Sequence, residues 1–260
     1  VETFTAAVSR TRTLTHDVRE IELTLVEPSM MAFAPGQFVS FEIERQNAPV
    51  PATRAYSIAS SPGRRNAIEL LVNRVPGGAG SEYLFGLREG GRTAFRGPVG
   101  SFVLGNSSRD LLFVATGTGI APFRSMLWAL ADRASSRQIS LLWGLRSERD
   151  VYYQDELIQL RERLPNLSVV TTLSRPTGEW CGAAGRVSAL VEHRIGSVSN
   201  LEVFLCGNGA MIRDVRDIIR RKGLCPIRVE QYYDEPRKST VHTETPSHGD
   251  ARPSTTLGAS

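Results

Sequence analysis

The sequence predicts two domains in series, an antiparallel β-barrel of Greek-key type and then an α/β domain built on a doubly wound parallel sheet. Over residues 1–105, short stretches that alternate apolar and polar residues are broken by Gly and Pro, as in closed antiparallel barrels. Over residues 106–235, apolar strand-like runs alternate with helical patterns, which argues for a parallel sheet. Where the second half begins, residues 111–126 read LLFVATGTGIAPFRSM. The apolar run ends at Gly117-Thr118-Gly119, and an apolar helical pattern follows at once with Pro122 in its first turn, where a missing N–H costs nothing. A strand that turns through glycines into a helix start presents backbone N–H groups and a positive dipole end to an anion, for which a diphosphate is the simplest ligand. The same turn also occurs in proteins with no ligand there.

In the first half the expected strands lie in VSRTRTLTHDVREIELTL, FAPGQFVSFEI, RAYSIAS, AIELLVNRV and GGRTAFRGPVGSFVL. One helix interrupts them, in GGAGSEYLFGLREG, with Ser81 as its expected N-cap and Leu84, Phe85 and Leu87 on its buried side. Arg54, Tyr56 and Ser57 share one strand. A guanidinium can clamp a phosphate, a phenol ring can stack on a flat heterocycle, and a hydroxyl can bond a ring nitrogen. The turn Gly77-Gly78-Ala79-Gly80 before Ser81 offers a second anion cradle. The alternative reading is a solvated arginine, a rim aromatic and a plain loop.

Gly105-Asn106-Ser107-Ser108 is the expected link between the halves. After the opening strand and helix come SLLWGL (strand), QDELIQLRERL (helix), LSVVTTLSRP (strand), VSALVEHRI (helix), LEVFLCGN (strand), AMIRDVRDIIRRKG (helix) and IRVEQYY (strand). The last helix places Met211, Ile212, Val215, Ile218 and Ile219 on one face, a core stripe with arginines on the other side. In such sheets ligands sit past the strand carboxyl ends. Those ends are the Gly117 turn, Gly144 to Arg146, Ser174-Arg175 and Cys206-Gly207-Asn208. No Asp or Glu follows Arg175 until Glu179. Residues 236–260 are Ser/Thr/Pro-rich and almost without large apolar residues, so they are expected to be a disordered tail.

Hydrophobic residues make up 41% and charged residues 22%, ordinary values for a globular chain. No apolar run approaches the ~20 residues of a membrane span, and no signal segment opens the chain, so the expectation is a cytoplasmic protein with no membrane insertion. The cysteines number three, namely Cys181, Cys206 and Cys225. They form neither a CxxC pair nor a cluster with the four histidines, so no metal or iron–sulfur site is expected. Net charge +4 without a concentrated basic run speaks against nucleic acid.

RAYS at 54–57, GAGS at 78–81, GTGIAP at 117–122, CGN at 206–208 and VEQY at 229–232 together resemble, in order and spacing, the ferredoxin–NADP reductase superfamily. The resemblance covers roughly residues 5–234. It implies an FAD-binding barrel followed by an NAD(P)-binding domain. Within RAYS, Arg54 would pair with the FAD diphosphate, Tyr56 would pack on the isoalloxazine beside Ala55, and Ser57 would bond near flavin N5. Gly78, Gly80 and Ser81 would hold the diphosphate, and Leu71, Val72, Asn73 and Arg74 lie on a strand that touches the ribityl and diphosphate portion in relatives. For the dinucleotide, the resemblance implicates Gly117, Thr118, Gly119, Ile120 and Pro122 at the first turn, and Arg146, Ser174 and Arg175 at the adenosine end. An arginine there can hold a 2′-phosphate, whereas an acidic residue suits a free ribose, so the resemblance favours NADPH over NADH, with a plain surface arginine as the alternative. Cys206, Gly207, Asn208 and Met211 are expected near the nicotinamide.

Ser57, Cys206, Glu230 and Tyr232 are the candidate catalytic residues. Cys206 would shape the site without covalent chemistry, since its nearest histidine in sequence, His193, lies on a helix expected to face solvent. In plastid-type relatives a terminal aromatic covers the flavin. Tyr232 matches that position, but the chain runs on past it, and Tyr233 is the alternative. The implied activity is hydride transfer from NAD(P)H to flavin N5, followed by release of one electron at a time to a carrier such as a ferredoxin or flavodoxin. Arg10, Arg12, Arg64, Arg65 and Arg92 are the candidate docking face for an acidic carrier, or else an ordinary solvated surface. The rival readings are a reductase component of a multicomponent oxygenase, with any [2Fe–2S] domain elsewhere, and a non-enzymatic FAD-binding electron-transfer or redox-sensing subunit.

Overall fold

The computed structural model describes residues 1–44 and 49–233, with Tyr233 described by its backbone. The expected tail over 236–260, and the Tyr233 side chain, therefore lie outside the described residues.

The first half is a curled antiparallel sheet of β1 (Glu2–Thr13), β2 (Val18–Glu27), β3 (Phe38–Ile43), β4 (Ala52–Ser57), β5 (Ala67–Asn73) and β6 (Arg92–Val99). Its six strands run in the order β4-β3-β6-β1-β2-β5. β6 returns across the sheet to sit between β3 and β1, which is the Greek-key crossing. The expected barrel takes the form of a curled sheet. The outer strands β4 and β5 meet at one bridge, Ile58 to Leu70, extended by Ala59 N donating to Glu69 O at 2.8 Å. The sheet is curled nearly shut without a continuous closing ladder. Alternation along the strands places Phe4, Ile21, Leu23, Phe41, Leu70, Val72 and Phe95 in one buried cluster. Helix α1 (Ala79–Gly86) plugs one end and buries Leu84, while Phe85 and Leu87 are only partly buried.

The second half is a parallel sheet of β7 (Asp110–Thr116), β8 (Ile139–Leu145), β9 (Leu167–Leu173), β10 (Ala183–Ala184), β11 (Leu201–Asn208) and β12 (Ile227–Tyr233). Its order is β10-β9-β8-β7-β11-β12. The direction of winding reverses between β7 and β11, so the carboxyl ends of those two strands form the topological switch point where open α/β sheets take ligands. Helices α2 (Ile120–Asp132) and α3 (Gln154–Arg163) cover one face, and α4 (Val187–Arg194) and α5 (Gly209–Lys222) the other. On the first face Phe113 stacks on Phe123 at 4.8 Å between ring centroids. The stripe expected on α5 is buried as written, from Met211 to Ile219. The two-residue β10 was not expected, because so short a pairing leaves no period in the sequence. Among the described residues no helix is long and apolar enough to cross a membrane.

Candidate functional site

A cavity of about 450 Å³ lies between the halves, of the size that holds a cofactor fragment. The barrel lines it with Phe38, Arg54, Ala55, Tyr56, Ser57, Leu71, Asn73, Val75, Gly78, Gly80 and Ser81. The α/β half adds Thr118, Glu230, Gln231 and Tyr232. Strand β4 delivers the RAYS residues because it is the outer strand, paired only with β3 in the register Phe38 to Ser57 and Phe41 to Arg54. Arg54 is exposed. Its guanidinium donates to Thr53 O at 2.9 Å, and no carboxylate among the described residues pairs with it. A cation left without a counter-charge at a cavity mouth suits an anionic ligand. Tyr56 meets Phe41 edge-on at 5.9 Å, with an interplanar angle of 77°.

Gly80 opens α1, and a Cβ there would fall 2.5 Å from the Tyr56 hydroxyl and 2.8 Å from Arg54 Cγ. Only glycine lets the helix start lie against these side chains. Ser81 is not the N-cap; Gly78 holds that position without a side-chain bond. Ser81 Oγ instead accepts from Val75 N at 3.0 Å and lies 2.9 Å from Val75 O and 3.1 Å from Gly78 O. It pins the preceding turn, which leaves the helix N-terminus without a side-chain cap of its own.

At the switch point, Gly117 takes a positive φ of 53° and starts a short 3₁₀ turn over Gly117–Gly119. The Gly117 carbonyl accepts from Trp143 Nε1 at 2.9 Å and from the Tyr152 hydroxyl at 3.2 Å. Thr116 Oγ1 lies 3.2 Å from both the Asn208 amide nitrogen and Nδ2. Asn208 Oδ1 accepts from Met211 N at 2.8 Å and caps α5. The CGN residues thus tie the end of β11 to the end of β7. Gly207, at φ 145°, has no room for a Cβ beside Thr116 Oγ1.

Three of the four expected catalytic side chains meet in the cavity. The Tyr232 hydroxyl donates to Ser57 Oγ at 2.6 Å, and Ser57 Oγ donates to Glu230 Oε2 at 2.6 Å. Burial raises the Glu230 carboxyl above its ordinary range, against the hydrogen bonds from Ser57 and Tyr232 that favour the anion. Burial also raises the Tyr232 hydroxyl. Cys206 is fully buried behind this group, and burial, aided by the Glu230 charge, pushes its thiol well up. It remains a neutral thiol, and His193, the nearest histidine in sequence, is exposed on α4.

Other expected residues lie off the cavity. Val72 points into the barrel core, because strand alternation sends Leu71 and Asn73 to the cavity side. Arg74 is exposed and sits 5.9 Å from the Phe85 ring. Gly117, Gly119 and Gly207 shape the switch point beside the cavity, while Ile120, Pro122 and Met211 are buried beneath the turns. Arg146, Ser174 and Arg175 are exposed just past β8 and β9. Arg175 N donates to Arg146 O at 2.7 Å, which sets the two residues side by side. Neither guanidinium has a carboxylate partner among the described residues.

Of the expected docking arginines, Arg10, Arg12 and Arg64 are tied to Glu20, Glu22 and Glu69, so their charge is largely spent inside the chain. Arg65 and Arg92 are exposed. Sequence reasoning missed Phe38, Val75 and Gln231. Phe38 and Gln231 reach the cavity through strand register alone, while Asn73, expected on the strand with Leu71, does line it. His16, Asp17 and Asp150 bring ligand-type atoms within 4.8 Å of one another, but Asp150 Oδ2 already accepts from Ser147 N at 2.9 Å.

The fold and site define a class, the two-domain flavin- and nicotinamide-dependent oxidoreductases. Residues 5–104 match the family described as "Oxidoreductase FAD-binding domain" and residues 113–217 match "Oxidoreductase NAD-binding domain". The chain is 36% identical over 241 residues to Ferredoxin–NADP reductase B of Sorangium cellulosum (strain So ce56), covering 89% of this chain and 98% of that protein. It is 29% identical to the toluate 1,2-dioxygenase electron transfer component of Pseudomonas putida, over 89% of this chain and 67% of the relative. Its fold is similar to the crystal structure of the Amycolatopsis cytochrome P450 reductase GcoB, with a TM-score of 0.80 and 27% identity over 89% of this chain and 70% of the other. The chain belongs to the ferredoxin–NADP reductase superfamily. It is an FAD-dependent oxidoreductase that takes electrons from NAD(P)H and passes them to a carrier.

Proposed function

We propose that the chain holds FAD in the cavity beside Arg54, prefers NADPH as electron donor, and serves a carrier protein of the ferredoxin or flavodoxin type. The observation that carries the site assignment is the Arg54 guanidinium, without a carboxylate partner among the described residues, beside the Gly80 cradle, where a Cβ would strike both Arg54 and Tyr56. Here Arg54 and the Gly78-to-Ser81 turn hold the diphosphate, and Tyr56, Phe38 and Leu71 supply apolar surface for the ring. When bound, FAD accepts a hydride equivalent and gives up electrons singly, chemistry no side chain supplies. The chain contributes orientation. Ser57, fixed between Tyr232 and Glu230, presents its hydroxyl to the cavity, where it would hydrogen-bond a bound flavin. Tyr232 lines the cavity on the side of the switch point and would have to release Ser57 to admit a second ring there. Glu230, with its carboxyl raised, can hold a proton at the cavity wall.

The preference for NADPH is supported by Arg175 and Arg146, residues joined through their backbones past β9 and β8 and without carboxylate partners among the described residues. The ferredoxin-type carrier is supported by the likeness to the Sorangium protein over 98% of that protein's length. Anaerobic titration of the flavin-loaded protein is the test. NADPH should bleach the flavin absorbance at lower concentration than NADH, and the reduced protein should then reduce a ferredoxin or flavodoxin. A protein that binds no FAD, or whose flavin neither nucleotide reduces, overturns the reading.

A further inference from the structure

Outside the cavity, the largest concentration of buried charge lies in the crease between the halves. Strands β2 and β5 bring Glu22 directly opposite Glu69, with Glu20 two residues away on the same face. Like charges opposite one another on a sheet repel. Arg10, Arg12 and Arg64 answer part of this charge from the barrel itself. More of it is answered from the other domain. Arg124, on α2 and nearly buried, donates from Nη1 to Glu69 Oε2 at 2.5 Å and to Ala59 O at 3.1 Å. Its Nε donates to Glu156 Oε1 of α3 at 2.7 Å. One guanidinium thus joins the barrel, the helix that starts at the Gly117 turn, and the helix after it.

A second link runs beside it. Tyr153 adopts the left-handed conformation, φ 59°, which a bulky L-residue enters only when its surroundings hold it there. That kink turns two consecutive phenols inward. The Tyr153 hydroxyl donates to Glu20 of the barrel, and the ring lies 4.9 Å under the Arg124 guanidinium. The Tyr152 hydroxyl donates to the Gly117 carbonyl at 3.2 Å, and its ring meets Trp143 edge-on at 4.8 Å. A strained two-residue segment therefore grips a barrel carboxylate with one side chain and the glycine turn with the other.

We propose that Arg124, Tyr152 and Tyr153 are positioning residues that fix the Gly117 turn relative to the barrel, and so set how the nicotinamide meets the flavin. None of them lines the cavity, so their effect is on alignment and not on holding either cofactor. The inference rests on the proposed function, because it needs two rings that meet between the domains. Small misplacements of reacting groups carry large rate costs, which is what gives a remote network leverage on the reaction.

The test uses the full chain as Arg124→Lys, Tyr152→Phe and Tyr153→Phe. Lysine keeps the charge but cannot bridge Glu69, Glu156 and Ala59 O at once, and each phenylalanine keeps its ring. In the flavin-loaded protein, flavin content and the KM for NADPH should stay within about twofold, while flavin reduction at saturating NADPH slows by roughly tenfold to a hundredfold. In the flavin-free protein, hydrogen exchange over residues 116–120 should quicken by about tenfold. Reduction at the wild-type rate, or unchanged exchange, in folded Tyr152→Phe and Tyr153→Phe overturns the proposal, even if melting temperatures fall. Should Arg124→Lys not fold, the two phenylalanine variants decide alone. A wild-type protein that takes no flavin defeats the functional reading instead, and the exchange arm still decides whether these residues hold the turn.

Discussion

Glu230 is costly to ionise where it sits. Burial raises its carboxyl above its ordinary value of 4.5 more than the hydrogen bonds from Ser57 and Tyr232 lower it. The folded chain therefore binds a proton there more tightly than the unfolded chain does, and stability falls as pH rises from the ordinary value through the raised one. Glu230→Gln removes that term. Its stability relative to wild type should improve steadily with pH across this window, as read from denaturant midpoints, and a constant difference would contradict the assignment. Arg54 makes the complementary case. It is exposed, with one hydrogen bond to the neighbouring Thr53 carbonyl, so Arg54→Ala should leave stability within about 0.5 kcal/mol. It should nonetheless weaken FAD by about 1.5–3 kcal/mol, the range for a bond to a charged group, and a fluorescence titration of the flavin checks it.

At the scale of elements, the switch point depends on Asn208, which caps α5 through Met211 N and reaches Thr116 with its amide. Asn208→Ala should lose about 1–2 kcal/mol, read as a fall in melting temperature, whereas Asn208→Asp keeps the cap acceptor and should lose less. Past the neighbouring strands, Arg175→Ala should raise the KM for NADPH at least tenfold with little change for NADH, and equal changes would remove Arg175 from the 2′-phosphate. These elements were legible in the sequence because their signals are local: apolar runs that stop at glycine, and a stripe at helical spacing from Met211 to Ile219. What was not legible depends on pairing between distant segments. Phe38 faces the cavity because it stands opposite Ser57 on β4, a register no period reports. Ser81 carries the signature of an N-cap but turns back to Val75. Glu20 is one of the polar residues of an alternating strand, and that pattern does not report that Arg124 and Tyr153 reach it from the other domain.

For the whole molecule, the consequence is that one cavity and one ionic network span the same crease. The cavity draws lining from β4, β5 and α1 on one side and from the Gly117 turn and β12 on the other. A ligand filling it binds only when both domains are folded and apposed, so its binding energy couples their unfolding. FAD at about 100 times its Kd adds about 2.7 kcal/mol to the folded state. For a chain of this size each kcal/mol moves the melting temperature by about 2–4 °C, so the shift should be roughly 5–10 °C. It should appear in calorimetry as one transition displaced as a unit, because a barrel that unfolded alone would release the flavin and expose Glu20, Glu22 and Glu69 without Arg124. A scan in which FAD moves one part of the transition and leaves the other in place would show that the domains melt independently, and that the shared lining does not join them.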